Sequence, residues 1–327
     1  MKLLVTGGAG FVGSNLVRMI LGDRLPGTEG ASVTVLDALT YSGNLANLSA
    51  VAEHPHFEFV HGDIRDTGLL DRLLPGVDAI VHLAAESHVD RSVRDASVFV
   101  ETNVVGTQRL LDAALRHGVR RVVHVSTDEV YGSIETGSWD EDCPLEPNSP
   151  YSASKAGSDL LARSYHRTHD LDVRITRCSN TYGPFHFPEK LIPLFVTNLI
   201  DELDVPLYGD GENVRDWLHV DDHCRGIALV LTSGRAGEVY NIGGGVELTN
   251  RELTDRLLAA TGRDRSAVQH VADRKGHDLR YSVDVTKIST ELGFAPQVPF
   301  EQGLADTVQW YRDNRAWWEP LKERAAL

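Results

Sequence analysis

The chain has 327 residues, 42% hydrophobic and 24% charged, the composition of a globular protein able to bury a large core. A net charge of −15 without any Lys/Arg cluster argues against a grip on nucleic acid, which needs a basic face. Three scattered cysteines (Cys143, Cys178, Cys224) argue against a disulfide scaffold or CxxC zinc site, and no apolar run approaches the ~18 residues of a membrane span.

The N-terminal apolar run, Leu3–Thr6, is too short for a signal sequence, so a cytoplasmic location is expected. That run and those at 32–37, 57–62, 78–84, 121–127 and 172–178 are rich in Val and Ile and predict strands buried on both faces. Amphipathic stretches lie between them, as at Thr102–His117, where Val104, Leu110, Leu111, Ala114 and Leu115 share a helical face. Such alternation predicts an α/β fold with a doubly wound parallel sheet of the Rossmann kind. Residues 22–30 (GDRLPGTEG) read as an exposed loop. After Gly183 the segments shorten and mix. Helices are predicted over 192–202, 221–232, 249–260 and 301–314, with strands near 207–208, 217–220 and 238–243. The expected division is a dinucleotide-binding domain over 1–183 and a smaller mixed α/β lobe over 184–327, the chain crossing between them.

The first strand runs into Gly7-Gly8-Ala9-Gly10-Phe11-Val12-Gly13 and then a helix. Glycines at this spacing permit a tight turn, close approach of a pyrophosphate and close helix–strand packing, with the diphosphate at the helix N-terminus. Asp37 ends the second strand, where a carboxylate hydrogen-bonds an adenosine ribose diol and repels a 2′-phosphate, so NAD is favoured over NADP. Asp63-Ile64 and Leu83-Ala84-Ala85 end the next strands and point into the same crevice.

Tyr151 and Lys155 are four residues apart on a predicted helix and share a face. A neighbouring ammonium and an oxidised nicotinamide both favour phenolate, so a lowered tyrosine pKa is expected, suited to removing a hydroxyl proton as hydride leaves. Thr127 ends the fifth strand and can bond the same hydroxyl. Asp128-Glu129 follow it; two acids past a strand end are commonly a solvated turn, but here they fall where a sugar would lie.

The glycine loop, Thr127 and the YxxxK pair resemble the extended short-chain dehydrogenase/reductase superfamily over essentially the whole chain. Within it, residues 84–92 (AAESHVDRS), 126–132 (STDEVYG), 178–184 (CSNTYGP), 186–193 (HFPEKLIP), 215–217 (RDW) and 276–281 (GHDLRY) are similar to the dTDP-glucose 4,6-dehydratase family. That resemblance implies an NAD-dependent lyase that oxidises C4 of dTDP-glucose, eliminates water across C5 and C6, and returns hydride to C6. It implies Glu129 as base and Asp128 as acid, with pKa values pushed apart. It implies cofactor contacts from Phe11, Val12, Ala38, Leu39, Thr40, Ser87, Thr102, Tyr151, Lys155 and Thr181. Substrate contacts carried over are Ser87, His88, Thr127, Asn180, Glu189, Lys190, Leu191, Asn250, Arg274, His277 and Tyr281, with Pro206 and Tyr208 flanking the base. Arg215 and Arg280 are candidates for the diphosphate, since guanidinium forks suit phosphate oxygens.

The family pairs through helices such as 102–117 and 154–169, so a homodimer with a shared four-helix bundle is expected; no metal, nucleic acid or membrane is. Two departures are Thr181, where the family often has Asn, and Lys275, where it has Pro. A nucleotide-sugar 4-epimerase and a non-catalytic NAD sensor are the other readings; the Asp128-Glu129 pair opposes the first, an intact Thr127/Tyr151/Lys155 set the second.

Overall fold

The computed structural model describes residues 1–274 and 276–325; the departure at Lys275 lies outside the described residues. Twelve strands are described: β1 (Lys2–Thr6), β2 (Ser32–Asp37), β3 (Phe57–His61), β4 (Ala79–His82), β5 (Arg121–Thr127), β6 (Val173–Cys178), β7 (Asn180–Tyr182), β8 (Val205–Tyr208), β9 (Val214–His219), β10 (Val239–Ile242), β11 (Glu247–Thr249) and β12 (Val268–Val271). Seven form one sheet in the order β10-β6-β5-β4-β1-β2-β3, every pairing in it parallel. β1, β4 and β5 are buried almost throughout, as their unbroken apolar runs predict. β3 differs: it is the sheet edge, and none of its five residues is fully buried.

The helices are α1 (Phe11–Leu21), α2 (Thr67–Leu73), α3 (Val89–Arg94), α4 (Ser97–Phe99), α5 (Thr107–Arg116), α6 (Pro150–His169), α7 (Leu191–Ile200), α8 (Val220–Ser233), α9 (Asn250–Thr261), α10 (Thr286–Leu292), α11 (Phe300–Asp313) and α12 (Arg315–Ala325). On one sheet face α1 and α8 bury Leu16, Val17, Ile20, Ile227, Val230 and Leu231; on the other α5 and α6 bury Leu110, Leu111, Ala114 and Ala162. A separate core of Phe195, Leu199, Leu253, Leu257, Phe300, Leu304 and Trp318 joins α7, α9, α11 and α12. Segments beyond Gly183 return to the large sheet, β10 as its edge strand and α8 as a flanking helix. The charged, Trp-rich C-terminal stretch is helical, as α12, with Trp318 fully buried. The 22–30 loop is largely exposed but pinned by buried Leu25 and Thr28, the threonine hydroxyl donating to the Leu25 carbonyl at 2.7 Å. Among the described residues no helix is long and apolar enough to cross a membrane.

Candidate active site

A cavity of about 820 Å³ opens at the carboxyl ends of β1, β2, β4, β5 and β6 and is closed over by segments 186–195 and 206–208 and by Arg274, His277 and Tyr281. Every residue given a catalytic, cofactor or substrate role in the sequence lines it except Leu39 and Arg280. The Leu39 side chain packs against the α1-side core, while its backbone N–H donates to Asp37 at 2.8 Å. The Arg280 guanidinium is engaged by Glu247 (2.8 and 2.7 Å) and the Gly137 carbonyl (2.8 Å) and does not line the cavity.

At the cofactor end the glycines divide their work. A Cβ on Gly7, whose φ is +70°, would lie 2.6 Å from the Ala84 nitrogen, and one on Gly13 would lie 2.3 Å from the Gly7 carbonyl oxygen. Both are therefore required by packing. Gly10 is crowded only by the Gly7 oxygen, at 3.3 Å, leaving its cavity side open for close backbone approach. Asp37 is buried and accepts from the backbone N–H groups of Ala9 (2.9 Å) and Leu39 (2.8 Å). Burial raises its pKa against those two bonds, and each oxygen keeps a lone pair for a hydroxyl. This cradle and acid fit the diphosphate and ribose of a dinucleotide.

At the reacting end, Ser149 caps α6 in a capping box with Ser152, and Pro150 holds the first turn; this fixes Tyr151 and Lys155 one turn apart. Thr127 ends β5, and residues 128–131 make one 3-10 turn whose Glu129 N–H donates to the Thr127 hydroxyl at 3.2 Å. Both acids are thereby held at the strand end. Asp128 is 2% exposed and Glu129 half-buried. Burial first, then Glu129 and Asp216, drive the Asp128 carboxyl well above the usual carboxylate range. Burial also raises Glu129, opposed by the charges of Arg274, Lys190 and Arg215. The acid with like charges around it thus keeps its proton better than the acid facing cations.

The expected lowering at Tyr151 is not seen in the protein alone. Burial, Glu129, Cys178 and Asp128 push the phenol up. The Lys155 ammonium donates instead to the Val125 carbonyl (2.9 Å), so its charge is spent partly on the end of β5.

At the far end Lys190 donates to the Ser87 carbonyl (2.7 Å), and Arg91 pairs with Glu189 (3.0 Å) while stacking over Tyr41 (4.1 Å). Arg215 is buried against Tyr281 and bonds the carbonyls of Val214 and Asp278. Burial and the nearby cations lower the His88 pKa to about 2, so it is neutral. Buried polar atoms without a protein partner are spread along the cavity lining: Tyr41 Oη, His88 Nδ1, Asp128 Oδ2, Asn180 Oδ1, His186 Nδ1, Glu189 Oε1, His223 Nε2, Asn250 Oδ1 and Arg274 Nε. Such a set is what a polar ligand would satisfy. Arg91, Ser126, His186 and Trp217 lie inside the quoted motifs but were given no role, and Tyr41 and His223 were missed. Tyr41 directly follows Thr40 and could have been found from it; His223 sits inside a plain amphipathic helix and carries no local signal.

The model of the family described as GDP-mannose 4,6 dehydratase matches residues 4–307. The chain belongs to this family. It is 64% identical to a dTDP-glucose 4,6-dehydratase of Streptomyces antibioticus, over 100% of this chain and 97% of the relative. It is 62% identical to one from Streptomyces niveus, over 98% and 96%. The crystal structure of the dTDP-glucose 4,6-dehydratase DesIV from Streptomyces venezuelae, with NAD bound, superposes with a TM-score of 0.97 at 69% identity, over 98% of this chain and all of that one.

In this member of the GDP-mannose 4,6-dehydratase family the reacting end rests on a dry ionic anchor. Asp159, one helical turn beyond Lys155, accepts from Arg177 (2.9 Å) and lies 3.2 Å from His124, all three without solvent exposure to speak of. Arg177 donates to the Tyr131 hydroxyl (2.7 Å), which donates to Asn241 (2.9 Å) on β10. Despite burial, His124 and Arg177 bring Asp159 down to a pKa of about 2. Asn103 bridges the Glu86 backbone to Ser154 from the π-helical segment Val100–Gly106, which also brings Thr102 to the cavity. Among the described residues no cluster of His, Cys, Asp and Glu has the makings of a metal site.

Proposed function

We infer that the protein is an NAD-dependent dTDP-glucose 4,6-dehydratase, converting dTDP-glucose to dTDP-4-keto-6-deoxyglucose and water. The observation that carries this reading is the Asp128/Glu129 pair at the same cavity end as Thr127, Tyr151 and Lys155. A 4-epimerase needs only the last three, because it removes no water.

Bound in the glycine cradle, NAD supplies the hydride acceptor at C4 and the donor at C6. Tyr151 takes the C4 hydroxyl proton, with the Thr127 hydroxyl donating a hydrogen bond to the same oxygen and Lys155 stabilising the phenolate. The resulting C4 ketone acidifies the C5 hydrogen, which Glu129 removes. Asp128, kept protonated by burial and by Glu129 and Asp216 beside it, gives its proton to the departing C6 hydroxyl. Glu129 then returns its proton to C5. Arg215, Lys190, Arg274, Asn180 and Asn250 hold the anionic diphosphate and sugar, and Pro206, Tyr208 and His277 flank the base.

We further propose that the chain pairs with a second copy: Val93, Val100, Val105 and Leu160, on α3, the π-helical segment and α6, are apolar and 36–57% exposed. A cytoplasmic location accords with this chemistry. The test is purified protein incubated with dTDP-glucose and no added NAD. A product lighter by one water, with the alkali-induced 4-keto-6-deoxy chromophore, is expected. No product even with NAD supplied would overturn the reading.

A further inference from the structure

His223 is 1% exposed, lines the cavity, and has an Nε2 with no partner in the protein. Its position and proton are both set by its neighbours. The next residue, Cys224, packs its sulfur 3.7 Å from the Val12 carbonyl, tying this turn of α8 to the start of α1. The ring Nδ1 lies 3.1 Å from the Thr181 hydroxyl, just past β6. That hydroxyl has one hydrogen, and it donates it to the Ser179 carbonyl at 3.3 Å. With that hydrogen committed to Ser179, the hydroxyl can only accept from the ring, which assigns the proton to Nδ1. In that tautomer Nε2 is a bare acceptor, buried and unpartnered, on a residue that lines the cavity near the carboxyl end of β6.

An acceptor there cannot serve a phosphate, which offers acceptors only while the diphosphate is ionised. Nor does it lie at the adenine end, which Asp37 and Asp63 mark on the opposite side of the sheet centre, at β2 and β3. The end at β5 and β6 is the one holding Thr127 and Tyr151, where hydride must be received. Among the groups a dinucleotide brings to that end, the nicotinamide carboxamide carries an N–H₂ donor. We propose that His223 Nε2 accepts a hydrogen bond from this carboxamide, with Thr181 as the residue that fixes the ring tautomer. The inference rests on the NAD-dependent reading above and adds to it a residue that selects and orients the reactive ring. Burial lowers the His223 pKa to about 3, so the ring remains neutral and the acceptor is available at any working pH.

The test is an exchange equilibrium on the holoprotein. Bound NAD is displaced by 3-acetylpyridine adenine dinucleotide, which replaces the carboxamide N–H₂ with a methyl group and keeps the carbonyl, and both bound species are counted by mass spectrometry. Leaving a buried acceptor unpaired is expected to make the wild-type protein prefer NAD on the order of tenfold. His223→Ala removes the acceptor, and the preference should fall to near one even if overall affinity drops. Thr181→Val, which leaves the ring in place without its tautomer partner, should narrow the preference partly. A wild-type protein that binds both dinucleotides equally, or a preference undiminished in both variants, would overturn the proposal while leaving the functional reading intact. A protein that retains neither dinucleotide would overturn both.

Discussion

Asp128 and Asp159 stand on either side of the Tyr151–Lys155 pair, one at the end of β5 and one on α6, with solvent exposures of 2% and 0%. Burial alone would raise both. Asp159 instead falls to about 2, because Arg177 and His124 face it, whereas Asp128 rises well above the usual range, because its neighbours are Glu129 and Asp216. Asp128 Oδ2 has no protein partner. A buried carboxylate that the fold has paired is an anchor; one surrounded by like charge holds its proton more tightly.

The contrast can be broken most sharply at the partner of Asp128. Glu129→Gln removes the base for C5 and should slow water loss by roughly 10²–10⁴-fold, the usual contribution of a positioned general base. C4 oxidation should be largely spared, so absorbance of the reduced cofactor rises and persists when dTDP-glucose is added. Equal loss of both steps would remove Glu129 from this role. Next in size is Asp159→Asn, which strips the counter-charge from buried Arg177. Breaking a buried pair in this way costs about 3–5 kcal/mol, read as a lower urea midpoint at neutral pH. Its folded pKa lies below the unfolded one, so the wild-type advantage is full above about pH 4. The gap between the two proteins should close as pH falls towards about 2.

Asp128→Asn should go the other way. Its folded pKa is raised, so burying it costs nothing below the unfolded value of about 3.9 and costs progressively more as pH climbs. The variant should be slow in dehydration yet melt a few degrees higher at pH 8, with the gain vanishing near pH 4. A variant that melts lower at pH 8 would mean that the hydrogen bond the Thr127 hydroxyl donates to Asp128 Oδ1 at 3.2 Å outweighs the burial. The smallest effect is expected at Arg280→Ala: with that guanidinium committed to Glu247, substrate KM should stay within about twofold, while Arg215→Ala raises it tenfold or more. A comparable rise in both would place Arg280 at the diphosphate after all.

The parts of the site that lie along one local element were open to reading from the chain. The turn at Gly7–Gly13, the acid ending β2 and the Tyr151/Lys155 spacing each depend on a strand, a turn or a helical period, and residues fewer than ten apart set them. Misreadings arose where orientation depends on distant segments. Arg280 belongs to a family motif, yet Glu247 from β11 decides where it points. At Tyr151 the protein alone raises the pKa through burial, Glu129, Cys178 and Asp128, while the expected lowering also calls on an oxidised nicotinamide that the chain does not itself supply. β3 has the apolar run of a central strand and lies at the edge.

The sequence by itself determined the parallel α/β architecture, the glycine turn and the spacing of the candidate pair Tyr151 and Lys155, because short-range backbone preferences and hydrophobic periodicity encode them. Only the tertiary structure decided the protonation of those groups and which polar atoms remain free for a ligand. Charge, burial and hydrogen-bond saturation at one point are summed over neighbours drawn from across the whole chain, such as His124, Asp159, Arg177 and Asn241 behind Lys155, or Thr181 and His223 beside the cofactor end.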